Sequence, residues 1–166
     1  MSARRTICAV LLAVMALLAV SCGSAVRRVG VESVDSVAPA GWSGLSATLT
    51  VRNDMRRELR LESCRLVFRS DSGELAQADL RGEAAVAART TSQVRLLFRV
   101  TSVSPSVFQY LWRRIVAGRA DEVKVDVDAV VQIGSHRRRI CARERDLSEI
   151  IRTFGVTEQD FLRWDK

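Results

Sequence analysis

From Val123 to Ile133 the chain is apolar at every second position. Val123, Val125, Val127, Ala129, Val131 and Ile133 alternate with Lys124, Asp126, Asp128 and Gln132. An α-helix would scatter this set around its axis, whereas a β-strand puts all of it on one face. Gly134-Ser135 follows and fits a two-residue hairpin with glycine first. The return strand, His136 to Arg143, then turns Ile140 and Ala142 inward. A pair of this length with one wet face needs a second layer to cover its dry face.

The remaining chain supplies strands for that layer. Val29, Val31 and Val34 start a first strand, which Ala38-Pro39-Ala40-Gly41 breaks with turn chemistry. Leu45, Ala47, Leu49 and Val51 alternate with polar residues up to a turn at Asn53-Asp54. Leu59 and Leu61 share one phase and Cys64, Leu66 and Phe68 the next, which predicts a bulge at Glu62-Ser63. Asp71-Ser72-Gly73 reads as a hairpin turn, and Ala76, Ala78 and Leu80 return beside it. Val94, Leu96, Phe98 and Val100 face in, and Gln93, Arg95, Leu97 and Arg99 face out. These runs predict an all-β sandwich of about seven strands.

Two stretches are helical in pattern. Over 105–117, Ser104 caps, Pro105 takes the first helical position, and Phe108, Leu111, Trp112 and Ile115 make one apolar face before Gly118. That stripe reads as core. The tail over 144–166 carries a capping box at Asp146 and Glu149, followed by Leu147, Ile150, Ile151 and Phe154 at helical spacing. Its apolar residues read as docking on the sandwich, with a partner or membrane surface as the alternative.

At the amino end, Arg4 and Arg5 precede an apolar run of 14 residues, Ile7 to Val20, which closes on Ser21-Cys22. A spanning helix needs about 20 residues, so the run reads as a cleaved signal before a membrane anchor, with an ordinary secretory signal, cut without lipid, as the alternative to a lipoprotein one. Leu18-Ala19-Val20-Ser21-Cys22 resembles a bacterial lipobox. That resemblance implies cleavage between Ser21 and Cys22 and a diacylglycerol on the Cys22 thiol. Residues 1–21 are then the signal, 22–28 a lipidated tether, 29–143 the sandwich domain and 144–166 the tail. Arg4 and Arg5 leave with the signal, and the net charge falls from +7 to +5, with 24 basic residues against 19 acidic. In an exported chain this excess reads first as a soluble, charged strand surface, and after that as a match for anionic lipid or glycan surfaces before nucleic acid.

The segments 45–52, 59–68, 94–100 and 108–127 together resemble the late-embryogenesis-abundant type 2 domain, also called the water-stress-and-hypersensitive-response domain. Val51-Arg52-Asn53 with Leu59-Arg60-Leu61 looks like its V-x-N-P-N segment and the following strand, with Asp54 standing where proline is usual. Val94 to Val100 resembles its next strand. Phe108 to Gly118, leading into Val123–Val127, resembles its short helix and long V-x-V-x-V strand. The resemblance covers about Val29 to Arg143. It implies an immunoglobulin- or fibronectin-III-like sandwich, lipidated single-domain relatives in Gram-negative envelopes, no catalytic residues, and roles in stress protection or hydrophobe handling.

No reaction is legible in the residues. His136 is the single imidazole, stands at a turn among arginines and reads as surface. No CxxC, GxSxG, HExxH or phosphate loop occurs, so no catalytic, cofactor or metal set is expected. Cys64 shares a face with Leu66 and Phe68, while Cys141 lies between inward Ile140 and Ala142 and so points out; the two are expected to stay unpaired. Candidate surface contacts are Arg95, Leu97 and Arg99 on one strand and Arg137, Arg138 and Arg139 on another. The leading expectation is a non-enzymatic lipoprotein tethered to the envelope, acting on a protein or lipid partner. The alternative is a binding or transfer module for lipid or another apolar ligand, with the inward alanines leaving it room.

Overall fold

The structure is a computed structural model and describes residues 28–40, 43–102, 106 and 122–148. The signal, Ser21 and Cys22, the helix expected over 105–117 (Ser106 apart) and the tail beyond Ser148 lie outside the described residues. Eight strands follow one another: β1 Val29–Pro39, β2 Gly44–Asn53, β3 Leu59–Ser70, β4 Gly73–Arg81, β5 Ala84–Val86, β6 Thr90–Ser102, β7 Lys124–Ile133 and β8 His136–Asp146. All pairings are antiparallel, in the order β1-β2-β6-β4-β3-β7-β8, with β5 on β3. The sheet curls on itself: β1-β2-β6 forms one layer and β4-β3-β7-β8 the other, joined where β4 pairs with β6. This is the strand arrangement of an immunoglobulin- or fibronectin-III-like sandwich. The expected all-β class holds, and β5 is an added short strand.

One core lies between the layers. Leu45, Ala47, Leu49 and Val51 of β2 meet Leu66 and Phe68 of β3, Phe98 of β6 and Val125, Val127 and Ala129 of β7. On β6 the alternation is clean: Val94, Leu96, Phe98 and Val100 are buried, and Gln93, Arg95, Leu97 and Arg99 are exposed. A fully buried Phe such as Phe98 contributes about 1.5–3 kcal/mol relative to its exposed state.

Bulges keep both halves of long strands in phase. Leu61 and Cys64 are three apart yet both buried, because Glu62 is an extra residue between the pairs Leu61↔Val131 and Ser63↔Val130. On β8, Arg143 and Glu144 together oppose Asp126, and Glu144 takes a φ of 51°. Pairing resumes beyond them, so β8 runs to Asp146 rather than ending at Arg143. β1 runs to Pro39, past the break expected from Ala38-Pro39; it is an edge strand, where a missing N–H is tolerated. The two predicted hairpins are present, with Gly73 at φ 120° and Gly134 at φ 60°.

One end of the sandwich is organised by Asn53. Positions 45, 47, 49 and 51 point inward, and Asn53 continues that phase to 0% exposure. Its amide nitrogen lies 2.9 Å from the Arg57 carbonyl, 3.1 Å from that of Val86 and 3.2 Å from that of Ala87. Its Oδ1 accepts the Met55 N–H at 3.0 Å. Backbone bonds add Asp54 N–H to Arg28 at 2.8 Å, Arg89 N–H to Met55 at 3.0 Å and Gly134 N–H to Glu58 at 3.1 Å. The start of β1, the β2–β3 turn, the β5–β6 turn and the β7–β8 hairpin are thereby tied together.

Candidate functional site

The polar face with the most structure is the outer surface of β4-β3-β7-β8. Pairing sets Asp79, Arg65, Asp128 and Cys141 in one row across the four strands. Arg65 Nε donates to Asp79 Oδ1 at 2.6 Å, and Gln77 Nε2 donates to Asp79 Oδ2 at 2.7 Å. Arg139 grips Asp128 with two nitrogens, Nε at 2.8 Å from Oδ1 and Nη2 on the other oxygen. An open depression of about 370 Å³ lies between Arg65, Asp79, Asp128 and Arg139.

One row further on stands Asp126, expected on the wet face but only 6% exposed. Its Oδ1 accepts the Glu144 N–H at 2.8 Å, and Arg69 Nε donates to its Oδ2 at 2.9 Å. Arg143 lies 3.8 Å away. A carboxylate covered this far needs such partners, and they are what hold the β8 bulge in place.

These charges satisfy one another. The Arg139 guanidinium, opposed by a smaller desolvation effect, holds the Asp128 carboxyl below the usual carboxylate range. Asp79 raises Arg65 in turn. Neither group changes charge near neutral pH, so the face works as a cross-strand ion-pair ladder. The thiols differ. Cys64 is 3% exposed, and burial, then Asp128 and Asp79, pushes it up to about 12, which leaves it protonated. Cys141 is exposed on the opposite face of the sheet, with Sγ 3.7 Å from Asp128 Oδ1. Strand β7 separates β3 from β8, so the two sulfurs cannot face each other.

His136 is exposed at the β7–β8 hairpin, with Nδ1 3.3 Å from Arg57 Nη1 and 3.4 Å from Ser135 Oγ. Among the described residues no three His, Cys, Asp or Glu side chains are placed to hold a metal ion. Among them, too, no helix is long and apolar enough to cross a membrane.

The six candidate contact residues do not form one surface. Arg95, Leu97 and Arg99 stand on the outer face of the three-stranded layer; Arg95 Nε donates to Ser46 Oγ at 2.8 Å, and Leu97 is 37% exposed. Arg137, Arg138 and Arg139 lie on β8, the far edge of the other layer. Arg137 Nη2 is 2.5 Å from Glu62 Oε2, an ion pair rather than an aligned hydrogen bond, and Arg139 holds Asp128. Asn53 and Asp126 are the polar residues that sequence reading passed over. The phase of β2 pointed to Asn53, whereas nothing local to β7 marked Asp126.

No family model matches the chain, and no curated protein matches it. Several solved structures are similar in outline. A protein from Archaeoglobus fulgidus is 16% identical over 68% of this chain and 91% of its own, with a TM-score of 0.39. The GAE domain of yeast GGA1 is 10% identical over 69% of this chain and 85% of its own, with a TM-score of 0.33. CsgH of R. palustris is 10% identical over 69% of this chain and 92% of its own, with a TM-score of 0.29.

Proposed function

We propose that the chain is a non-enzymatic envelope lipoprotein, a late-embryogenesis-abundant type 2-like sandwich held on a lipid at Cys22, and that it works as an interaction or stress-protective module toward another envelope component. The observation that carries this over a ligand-transfer role is that, among the described residues, the core is filled round its small side chains. Ala47 and Ala78, with Leu66 and Val127 beside them in the core, have no surface that a water molecule can touch. Small residues at these positions let the layers approach closely and leave no apolar chamber against them. The protonated, buried Cys64 and the arginine-flanked His136 also give no activated nucleophile.

The test is an intact mass of the chain isolated from its native envelope, with Cys22→Ser alongside. An acylated product cut before Cys22 in the wild type, absent from the variant, is the expected result. A wild type that carries no acyl mass overturns the tether. Mass spectrometry of species crosslinked to the tethered chain then separates the roles: a protein partner supports the interaction module, and a stoichiometric apolar small molecule in its place overturns it.

A further inference from the structure

The end gathered round Asn53 is also the end from which the tether leaves. Val29 pairs with Asn53, and the Arg28 carbonyl accepts the Asp54 N–H at 2.8 Å. Only residues 23–27 lie between Cys22 and Arg28. Six residue steps span at most about 20 Å. The opposite end of the sandwich, at Asp71-Ser72, is a 12-residue strand away along β3, about 40 Å at 3.3 Å per residue. A lipid on Cys22 therefore keeps the Asn53 end, and not the other, close to the bilayer.

The charge at this end is unlike that of the ion-paired rows on the four-stranded face. Its two acids are already engaged from the strands: Asp54 by Arg52 at 3.0 Å and Glu58 by Arg60 at 2.8 Å. Arg28, Arg56, Arg57 and Arg89 are all exposed, and among the described residues none is in ion-pair range of a carboxylate. They come from three segments that Asn53 and the backbone bonds fix together, with exposed His136 beside Arg57. On the four-stranded face, by contrast, Arg65, Arg69, Arg137, Arg139 and Arg143 each sit against an acid.

We propose that this end is a docking surface for anionic phospholipid headgroups, with Arg28, Arg56, Arg57 and Arg89 meeting lipid phosphates and holding the sandwich end-on to the membrane; this rests on the reading that Cys22 carries the lipid. A guanidinium suits the site because its fork matches phosphate oxygens in pairs. Each arginine near an anionic bilayer strengthens binding about fivefold, and the effect is confined to about one Debye length of the surface.

The test uses the mature chain with Cys22→Ser, so that no acyl group drives binding, in sedimentation with phosphatidylcholine vesicles with and without phosphatidylglycerol. Binding only to the phosphatidylglycerol vesicles, lost as salt is raised, is expected. The pair Arg56→Glu/Arg89→Glu weakens it at least about tenfold. The pair Arg81→Glu/Arg145→Glu makes the same charge change on strands away from this end, opposite Leu97 and Val125, and leaves binding within about twofold. Equal losses in the two pairs, or no preference for phosphatidylglycerol, overturn the proposal. Should the first pair fail to fold, Arg56→Gln/Arg89→Gln and the salt dependence of the unsubstituted surface read the same quantity. An acylated wild type whose unlipidated form ignores phosphatidylglycerol overturns the docking surface alone. Phosphatidylglycerol binding by a chain that carries no acyl mass supports the surface and overturns the lipoprotein reading alone.

Discussion

Replacing Asn53 tests whether one buried amide holds an end of the sandwich. Asn53→Ala leaves the buried Met55 N–H without its acceptor and takes a donor from the Arg57 and Val86 carbonyls, while the Ala87 carbonyl keeps the Thr90 hydroxyl at 2.8 Å. With each orphaned buried group costing about 1–3 kcal/mol, and the Arg57 site only part-buried, the loss comes to about 3 kcal/mol. Asn53→Asp is the sharper variant. It keeps the Met55 acceptor but turns a carboxylate oxygen toward three carbonyl oxygens that now lie 2.9–3.2 Å from the amide nitrogen. The new carboxyl must stay protonated in the fold, so its folded pKa lies above the unfolded value near 3.9. Relative to the wild type, stability is then fully present below about pH 4 and is lost at about 1.4 kcal/mol per pH unit above it, about 4 kcal/mol by pH 7. Urea melts of the wild type and both variants at several values between pH 4 and 7 measure this directly. Such losses are a large share of the roughly 5–15 kcal/mol that a domain of this size has. An Asn53→Ala within 1 kcal/mol of wild type, or an Asn53→Asp penalty that does not change with pH, would refute the reasoning.

Other expectations follow from the same geometry. Phe98 is 1% exposed, so Phe98→Ala costs about 3–5 kcal/mol, and Arg99→Ala on the wet side stays within about 0.5 kcal/mol; equal shifts in denaturant midpoint would contradict the phase of β6. In the mature chain with Cys22→Ser, a maleimide labels Cys141 in the native protein and Cys64 only after unfolding; no label on either in denaturant without reductant would mean that they are paired. Asp128, held low by Arg139, and Asp35, held low by Ser33, Thr50 and Gln93, favour the fold above the unfolded carboxyl pKa and lose that contribution as the pH drops below about 4. Asp128→Asn therefore flattens the acid limb of a stability profile taken by thermal melts, and an unchanged limb would count against the Arg139 clamp.

What alternation encodes is which face a residue takes, and there the chain was readable. The three-residue step from Leu61 to Cys64 required an extra residue, and Glu62 is that residue. The phase of β8 separated Cys141 from Cys64 with only Ile140 and Ala142 as guides, and the pairs Asp128↔Cys141 and Ala129↔Ile140 carry the same division. The short β5 had no such guide, since three residues ending at Val86 show no period. Asp126 looked like any outward acid because its cover comes from Arg69 and Arg143, distant in sequence, and from a bulge that brings the Glu144 N–H onto it.

Which layer a strand joins is a different kind of information, and alternation does not contain it. Arg95, Leu97 and Arg99 on one strand and Arg137, Arg138 and Arg139 on another carry no mark of their layer, and the order β6-β4-β3-β7-β8 sets them on different ones. The same limit applies to charge. A surplus of arginine is visible in the composition, but composition does not say which arginines already have acids. Cross-strand neighbours decide that: Asp79, Asp126 and Asp128 sit one strand from Arg65, Arg69 and Arg139, so those charges are spent within the sheet. At the Asn53 end the chain turns instead of pairing, and a turn places no strand opposite its side chains. Arg56, Arg57 and Arg89 thus keep charges that Arg65, Arg69 and Arg139 spend on cross-strand acids, and they keep them at the end where β1 begins.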